Sequence, residues 1–598
     1  MSIILGLNAF HADSAACLLI DGKLVGAVAE ERLGARIKHS SAFPREAIRW
    51  LLADNGVRLS DVDLVAIPRN TRANRWAKLN YVARNPATGV RAGLTHLRRS
   101  GETVSMLDRL AGICGEDPAK VHFRTVPVEH HLAHIASSYY CSPFETLTAG
   151  FSYDASGDFV SMMAARCEGN RIEVLDKVRL PDSLGFFYTA LCQYIGFDAF
   201  GEEYKVMGLA PYGEDRFAET MTKLVQLPEN GWFRLAEGYF GMHSGGASGA
   251  ASDEGHVVMG RFYTDKLIAE LGPPTERGVI GQREWDIARS VQVRFEEAAM
   301  HCMRRLQRLV PSENIAMAGG CALNGVANAR LLRDTNFRTP YLQAAASDDG
   351  TCLGAALWAW HNVAGGTERF HMRHAFWGPG YDVSRLREVA ASVGAGIRVE
   401  ELANADATVE RVADLIAEGH VTGWYQGRSE WGPRALGNRS ILANPAIATM
   451  KDTINTKIKR RESFRPFAPS VLQEDVATYF EQDVYSPFMM HVVKLRPEWR
   501  ERMPAITHVD GTGRLQSVDP QSNALYHQLI TAVKRRTGIG VVLNTSFNEN
   551  EPVVDTPEQA LACFVRTDMD ALCLGNFVLV KERAALAGTV AETIGQSA

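Results

Sequence analysis

Residues 3–31 run IILGLNAFHADSAACLLIDGKLVGAVAEE, and this opening decides the fold class. Ile3 to Leu7 is a short apolar run and Ala15 to Ile20 is a second, and runs of this length between polar residues read as buried strands. Asp21-Gly22 is a favoured two-residue hairpin turn, after which Leu24 to Ala29 resumes the strand. The chain therefore opens as strand, short polar loop, strand, tight turn, strand. The first loop carries Asn8, His11 and Asp13.

This order of elements resembles the start of the actin, sugar-kinase and Hsp70 type of ATPase, whose first loop faces a nucleotide phosphate. By itself that is an analogy of fold and says nothing of function. Farther on, Pro44 to Leu52 reads as a helix with Pro near its start, and Leu64 to Ile67 as a strand. Ile315 to Met317 reads as a strand running into Gly319-Gly320. Phe376 to Tyr381 (FWGPGY) has the turn-rich composition of a linker. Beyond it, Val409 to Glu418 reads as a helix with Thr408 as its N-cap, and Val421 to Tyr425 as a strand. These signals place a domain boundary near residue 375, giving an α/β chain with domains 1–375 and 376–598. No internal repeat of 20–50 residues is visible.

Composition narrows the function. The 598 residues are 46% hydrophobic and 22% charged, which excludes a disordered chain. Lys+Arg 64 against Asp+Glu 69 leaves a net charge of −5, which argues against a dedicated nucleic-acid binder. The ten cysteines form no CxxC pair, which excludes a zinc ribbon and points to reduced thiols in a cytoplasmic protein. The N-terminus lacks the basic residues of a signal peptide, and no uninterrupted apolar stretch of about 18 residues exists for a membrane span. Two segments stand apart. Arg69 to Arg99 is rich in Arg and Lys among Trp76, Leu79, Tyr81, Val82, Val90 and Leu94, and reads as the solvated helices of an insertion rather than a patch for an anionic partner. Gly241 to Gly255 (GMHSGGASGAASDEG) reads as a flexible loop over a site.

Four constellations carry chemistry. In His130-His131-Leu132-Ala133-His134, residues 130 and 134 share a helix face, a ready metal pair, while His131 points elsewhere as a supporting or structural residue. Asp154 and Asp348 each follow an apolar run and would complete two His and two Asp, a set that suits Fe(II), Mn(II) or Zn(II). Asp349 competes with Asp348, which is preferred because it is nearer the apolar run. Second, Met317 to Asn324 is a strand ending in Gly319-Gly320, where backbone N–H groups can approach a phosphate, and Asp349-Gly350-Thr351 could do the same. Third, Gly201 to Gly213 (GEEYKVMGLAPYG) reads as a loop and helix near a ligand. Fourth, the C-terminal third sets Arg434, Lys459, Arg465 and Arg514 among Pro, Phe and Trp, with Asn544 and Ser546 at the end of an apolar run; such Arg clusters suit bidentate phosphate binding.

With these in place the chain resembles the NodU/CmcH family of O-carbamoyltransferases, to which tobramycin O-carbamoyltransferase belongs. The likeness runs nearly end to end. It rests on His11, Glu30-Glu31-Arg32, Lys38-His39, HHLAH, GEEYKVMGLAPYG, GGCALN, SDDGTCLGAA, SEWGPRALGNRS, ESFRPFAPS and LNTSFN. The first loop, His11-Ala12-Asp13, is one residue longer than the common family pattern. The resemblance implies an actin/Hsp70-like N-terminal domain, similar to the universal tRNA threonylcarbamoyl-transfer protein, and a YrdC-like C-terminal α/β domain. It implies that carbamoyl phosphate and ATP, with Mg, give carbamoyl adenylate in the C-terminal domain, and that the N-terminal domain passes the carbamoyl group to a hydroxylated small-molecule acceptor of natural-product type. Arg434, Lys459, Arg465, Arg514 and Ser546 are implied to bind carbamoyl phosphate and the ATP phosphates, and Lys38 to join the shared active region. Gly319, Gly320, Asn324, Gly350 and Asn544 complete the nucleotide-binding expectation. His11 is implied to act at the acceptor hydroxyl, and His130, His134, Asp154 and Asp348 to hold iron. A homodimer is compatible with this reading. The competing readings are a tRNA threonylcarbamoylation enzyme, disfavoured by the net charge, and an ATP-binding regulatory protein without catalysis. A metalloprotease is excluded, because position 131 is His where HExxH requires Glu.

Overall fold

A computed structural model describes residues 1–9, 11–84, 105–244, 249–251, 255–462 and 464–582. The chain divides into two compact units. One holds Met1–Met372 with Trp431–Pro433 and Met490–Val492, and the other holds Arg373–Glu430, Arg434–Met489 and Val493–Ala598. The division after Met372 lies close to the linker read at 376–381.

In the first unit, β1 (Ile3–Asn8), β2 (Ala15–Ile20), β3 (Lys23–Ala29), β4 (Leu64–Ile67) and β5 (Arg124–Pro127) form a sheet in the order β3-β2-β1-β4-β5. The tight Asp21-Gly22 turn makes β2 and β3 antiparallel, and β1 runs antiparallel to β2 but parallel to β4. All six residues of β1 are buried, as an unbroken apolar run requires. A helix at Arg45–Asp54 covers one face, burying Ala47, Ile48, Leu51 and Leu52 at helical spacing.

A second sheet repeats this plan. It is built from β6 (Thr148–Gly157), β7 (Val160–Glu168), β8 (Arg171–Arg179), β9 (Asn314–Ala318) and β10 (Thr339–Leu342), in the order β10-β9-β6-β7-β8. Its first three strands are antiparallel and its last two parallel, as in the first sheet. Each fifth strand is followed by a helix, α1 (His130–Tyr139) after β5 and α2 (Thr351–Asn362) after β10, and the two helices pack together. This doubled five-strand motif is the architecture of actin and Hsp70, the fold expected from the opening residues.

The second unit is also α/β. A nine-stranded mixed sheet has β11 (Ile397–Glu401), β12 (Thr422–Tyr425), β13 (Arg439–Ala443), β14 (Ala468–Leu472), β15 (His491–Lys494), β16 (Thr512–Val518), β17 (Val541–Ser546), β18 (Ala571–Leu574) and β19 (Phe577–Lys581). Their order is β11-β19-β18-β12-β13-β17-β14-β16-β15. Helices α3 (Ala405–Ala417) and α4 (Ala524–Thr537) pack together and, through Val412, Ile416, Leu529 and Val533, close a core with Trp424 and Val542 of the sheet. Here the structure corrects a helix start. The N-cap of α3 is Asn404, whose side chain accepts the Ala407 N–H at 2.9 Å, while Thr408 lies inside the first turn and donates back to the Asn404 carbonyl.

Candidate active site

The loop after β1 carries His11, α1 begins at His130, β6 delivers Asp154, and the turn after β10 delivers Asp348. One ligand-type atom from each of His130, His134, Asp154 and Asp348 lies within 4.8 Å of the others. The one-turn spacing of α1 brings His130 Nε2 and His134 Nε2 to 3.1 Å. Asp154 Oδ2 lies 3.2 Å from His134 Nε2, and Asp348 Oδ1 lies 3.4 Å from His130 Nε2. Two imidazole nitrogens and two carboxylate oxygens aimed at one point fit a divalent cation of the Fe(II), Mn(II) or Zn(II) class. Gly157 is required by this packing: a Cβ there would lie 2.0 Å from His130 Cδ2.

The cluster is strongly polarised. Burial would lower the His130 pKa, but the Asp348 and Asp154 carboxylates hold it well above the imidazole range. Burial would likewise raise Asp348, but His130 and His134 hold it well below the carboxylate range. His11 stacks on the His130 ring at 5.4 Å, with Nδ1 3.7 Å from Asp348 Oδ2. Burial lowers its pKa against the pull of Asp348, leaving a neutral imidazole able to take a proton.

The cluster also obeys the doubled fold. His11 follows the first strand of the first sheet, and Asp154 lies near the end of the first strand of the second. His130 and His134 follow the fifth strand of the first sheet, and Asp348 follows the fifth of the second. The competition between Asp348 and Asp349 is resolved by direction. Asp349 Oδ1 accepts the Gly350 N–H at 3.0 Å, and burial together with Asp13 and Glu31 pushes its pKa well up. His131 is structural. Its Nε2 meets the Val160 carbonyl at 2.9 Å and must donate, so Nδ1 accepts from Ser152 Oγ, and burial beside two other histidines keeps it neutral.

A second group escaped the sequence reading of the site. Asp13 Oδ1 accepts from His39 Nδ1 at 2.7 Å, and Asp13 Oδ2 accepts from Ser347 Oγ at 2.7 Å, next to Asp348. The His39 N–H donates to Glu31 Oε2 at 2.8 Å. Burial opposes a charge on His39, but the Asp13 and Glu31 carboxylates raise its pKa to about 9. Lys38 precedes it as an exposed residue of the same turn. The sequence shows its members only as separate strings, His11-Ala12-Asp13, Glu30-Glu31-Arg32 and Lys38-His39.

At three positions of the expected phosphate cradle the donor groups have partners within the fold. Gly319 adopts φ +100°, where a Cβ would lie 2.2 Å from the Tyr153 carbonyl, so only glycine fits; its N–H, however, donates to the Ala346 carbonyl at 2.7 Å. The Gly350 N–H is engaged by Ser347 O and Asp349 Oδ1. Asn324 caps the helix Gly325–Asp334 and exchanges hydrogen bonds with Gln292 at 3.0 and 3.1 Å. These groups brace the floor of the site from within. Gly320 lies beside the cluster, its Cβ position 2.9 Å from Asp154 Oδ1.

In the second unit the loop bearing Arg434 is wound around one buried carboxylate. Glu430 Oε1 accepts the N–H groups of Leu436, Asn438 and Arg439 at 2.9, 2.8 and 3.0 Å. Arg439 is fully buried over the Tyr425 ring at 3.6 Å and donates to the Gln426 and Gly427 carbonyls. Lys459 is 1% exposed, and its Nζ donates to the Asn548 carbonyl at 2.8 Å, Asn548 Oδ1 at 2.7 Å and Ser546 Oγ at 3.3 Å. Arg465 pairs with Glu462 at 2.9 Å, and Arg514 sits half-buried on β16. Asn544 was expected to meet the nucleotide. Its amide donates instead to Ala435 O, Ser470 Oγ and Gln516 Oε1, each at 3.0 Å, bracing the Arg434 loop.

A sequence profile described as Carbamoyltransferase N-terminus matches residues 3–357, and one described as Carbamoyltransferase C-terminus matches residues 413–581. The chain belongs to the carbamoyltransferase family. Nodulation protein NolNO of Sinorhizobium fredii is 37% identical to this carbamoyltransferase, over 97% of this chain and 80% of the relative. Nodulation protein U of Rhizobium tropici is 26% identical, over 97% and 96%. The 3'-hydroxymethylcephem-O-carbamoyltransferase of Streptomyces clavuligerus is 34% identical, over 48% and 51%. In this carbamoyltransferase the N-terminal match spans both five-stranded sheets and the whole His/Asp cluster, and the C-terminal match spans Arg434 to Ser546. Among the described residues no helix is long and apolar enough to cross a membrane.

Proposed function

We propose that this carbamoyltransferase is an ATP-dependent O-carbamoyltransferase working in two steps on a small hydroxylated acceptor. The observation that carries the reading is the convergence of His130, His134, Asp154 and Asp348 with His11 stacked on His130 beside them. In the first step water releases phosphate from carbamoyl phosphate, the resulting carbamate attacks the α-phosphorus of MgATP, and pyrophosphate leaves. The need for this step is electronic: nitrogen donates into the carbamate carbonyl and hydroxide leaves badly, whereas AMP leaves well. Arg434, Lys459, Arg465, Arg514 and Ser546 of the second unit are the residues assigned to the phosphates, with charge-assisted donors held rigid by Glu430 and Asn544.

In the second step the acceptor oxygen attacks the carbamoyl carbon, the C–O bond to AMP breaks, and the hydroxyl proton passes to His11. A divalent cation held by His130, His134, Asp154 and Asp348, iron by family resemblance, would supply Lewis-acid polarisation or orientation of the adenylate. The carboxylates of Asp154 and Asp348 and the Nε2 atoms of the two histidines are its holders.

The test needs no acceptor for its first half. With MgATP, pyrophosphate release should depend on carbamoyl phosphate. Arg434→Ala should lower that release about 10²–10³-fold. His130→Ala should leave it intact while abolishing carbamoyl transfer to hydroxylated test acceptors. Pyrophosphate release indifferent to carbamoyl phosphate, or equal loss of it in both variants, would overturn the assignment.

A further inference from the structure

The insertion after β4 reads from sequence as a solvated flank, and residues 85–104 of it lie outside the described residues. Its described part is clasped by the residues that cap α1. Asp158 Oδ2 accepts the His130 N–H at 3.1 Å and the Asn70 N–H at 2.8 Å. Asn74 Nδ2 donates to the Asp158 carbonyl at 3.1 Å and reaches Glu129 Oε1 at 3.4 Å. Glu129 is the N-cap of α1, accepting the Leu132 N–H at 3.0 Å. The groups that fix the start of the ligand-bearing helix are thus the groups that hold the insertion.

The contact continues outward. On the helix Arg75–Arg84, Tyr81 lies edge-on to Phe159 at 5.4 Å and donates its hydroxyl to the Met242 carbonyl at 2.8 Å. The described start of the glycine-rich segment therefore touches the insertion, and both lead back to the turn at 158–159; residues 245–248 and 252–254 lie outside the described residues. That turn has an unusual backbone. It joins β6 to β7 with φ +51° at Asp158 and +73° at Phe159. Two-residue hairpins of this kind normally use Asn-Gly or Asp-Gly, and a bulky aromatic is disfavoured in the second place. Phe159 there keeps Tyr81 in contact, and Asp158 aims its carboxylate at both His130 and Asn70.

We propose that Asp158 is a positioning residue that couples the insertion 69–84 to metal-ligand His130, so that occupancy of the cluster and order of the insertion are one equilibrium. The inference rests on the reading of the cluster as a metal site.

The experiment uses the full chain, stripped of metal and titrated with Co(II), followed by visible absorption and by amide hydrogen exchange. In the wild type, Co(II) should slow exchange across 69–84, which holds none of the four ligands. Asp158→Gly accepts the backbone conformation without strain but removes the clasp; it should bind Co(II) about 10–100-fold more weakly and lose that protection. Asp158→Asn tolerates the same conformation and keeps an oxygen acceptor, so it should retain both. Asn74→Ala breaks the clasp on the insertion side alone, and by reciprocity should weaken Co(II) binding by the factor it takes from the protection. Co(II) binding that leaves exchange at 69–84 unchanged in the wild type, or undiminished affinity in Asp158→Gly, would overturn the coupling alone. A wild type that binds no Co(II) would overturn the metal reading and the coupling with it.

Discussion

His39 and Asp13 form a half-buried ion pair whose stability contribution has a defined pH window. The folded-state pKa of His39 is raised to about 9 from an ordinary value of 6.5. The unfolded chain therefore releases this proton first, so the pair's contribution is complete below about pH 6.5 and disappears as pH climbs through about 9. Melting temperatures of the wild type should fall between these values more steeply than those of His39→Gln, and parallel curves would remove the pair as the cause. At this scale the sequence was most informative where geometry is local. The i, i+4 spacing of His130 and His134 dictates a shared face before anything else is known of the fold. It was least informative for backbone donors. Whether the N–H of Gly319 or Gly350 is available depends on Ala346 and Ser347, and no spacing rule announces which carbonyl a loop will find.

Among the elements, the β6 strand and the loop at 427–439 carry the sharpest expectations. Gly157→Ala places a methyl group against the His130 ring, so α1 or β6 must shift. Co(II) binding should be lost, and urea unfolding should show a cost of about 1–3 kcal/mol. Glu430→Ala leaves three buried N–H groups without their acceptor. At about 1–3 kcal/mol for a group left unsatisfied, it should destabilise the protein by about 3 kcal/mol or more in urea titrations, and Glu430→Gln by less. The strands β1, β2 and β3 were legible because each apolar run ends at polar or turn residues. The start of α3 was misplaced because Asn404 and Thr408 are both good caps, and only the Ala407 N–H, bonded to Asn404, distinguishes them. The insertion at 69–84 is the solvated helix its Arg and Lys residues suggest, since Arg75–Arg84 buries no residue. The contacts that anchor it come from two Asn residues and one Tyr, which composition does not mark.

For the whole molecule, the proposed division of the two steps between the units predicts that each responds separately to its own ligand. Calorimetry should resolve two transitions. Co(II) at 100 times its Kd should stabilise one of them by about 2.7 kcal/mol, and carbamoyl phosphate should move the other. Chelation of the metal should abolish carbamoyl transfer and spare pyrophosphate release. A single transition moved equally by both ligands would contradict the division of labour. The doubled five-strand plan of the first unit, which the actin/Hsp70 likeness implies, is not visible in the sequence as a repeat. A search for repeats of 20–50 residues cannot detect copies that span residues 3–127 and 148–342, each interrupted at different places by its own insertions.

That doubling bears on how the site holds together. Each copy of the motif contributes only part of the His/Asp cluster: one supplies both imidazoles of the ligand set, the other both carboxylates. Neither copy alone offers two nitrogens and two oxygens, so the ligand set is complete only where both copies are folded and packed together. Unfolding either one disassembles the whole cluster, and its four ligands stand or fall as a unit.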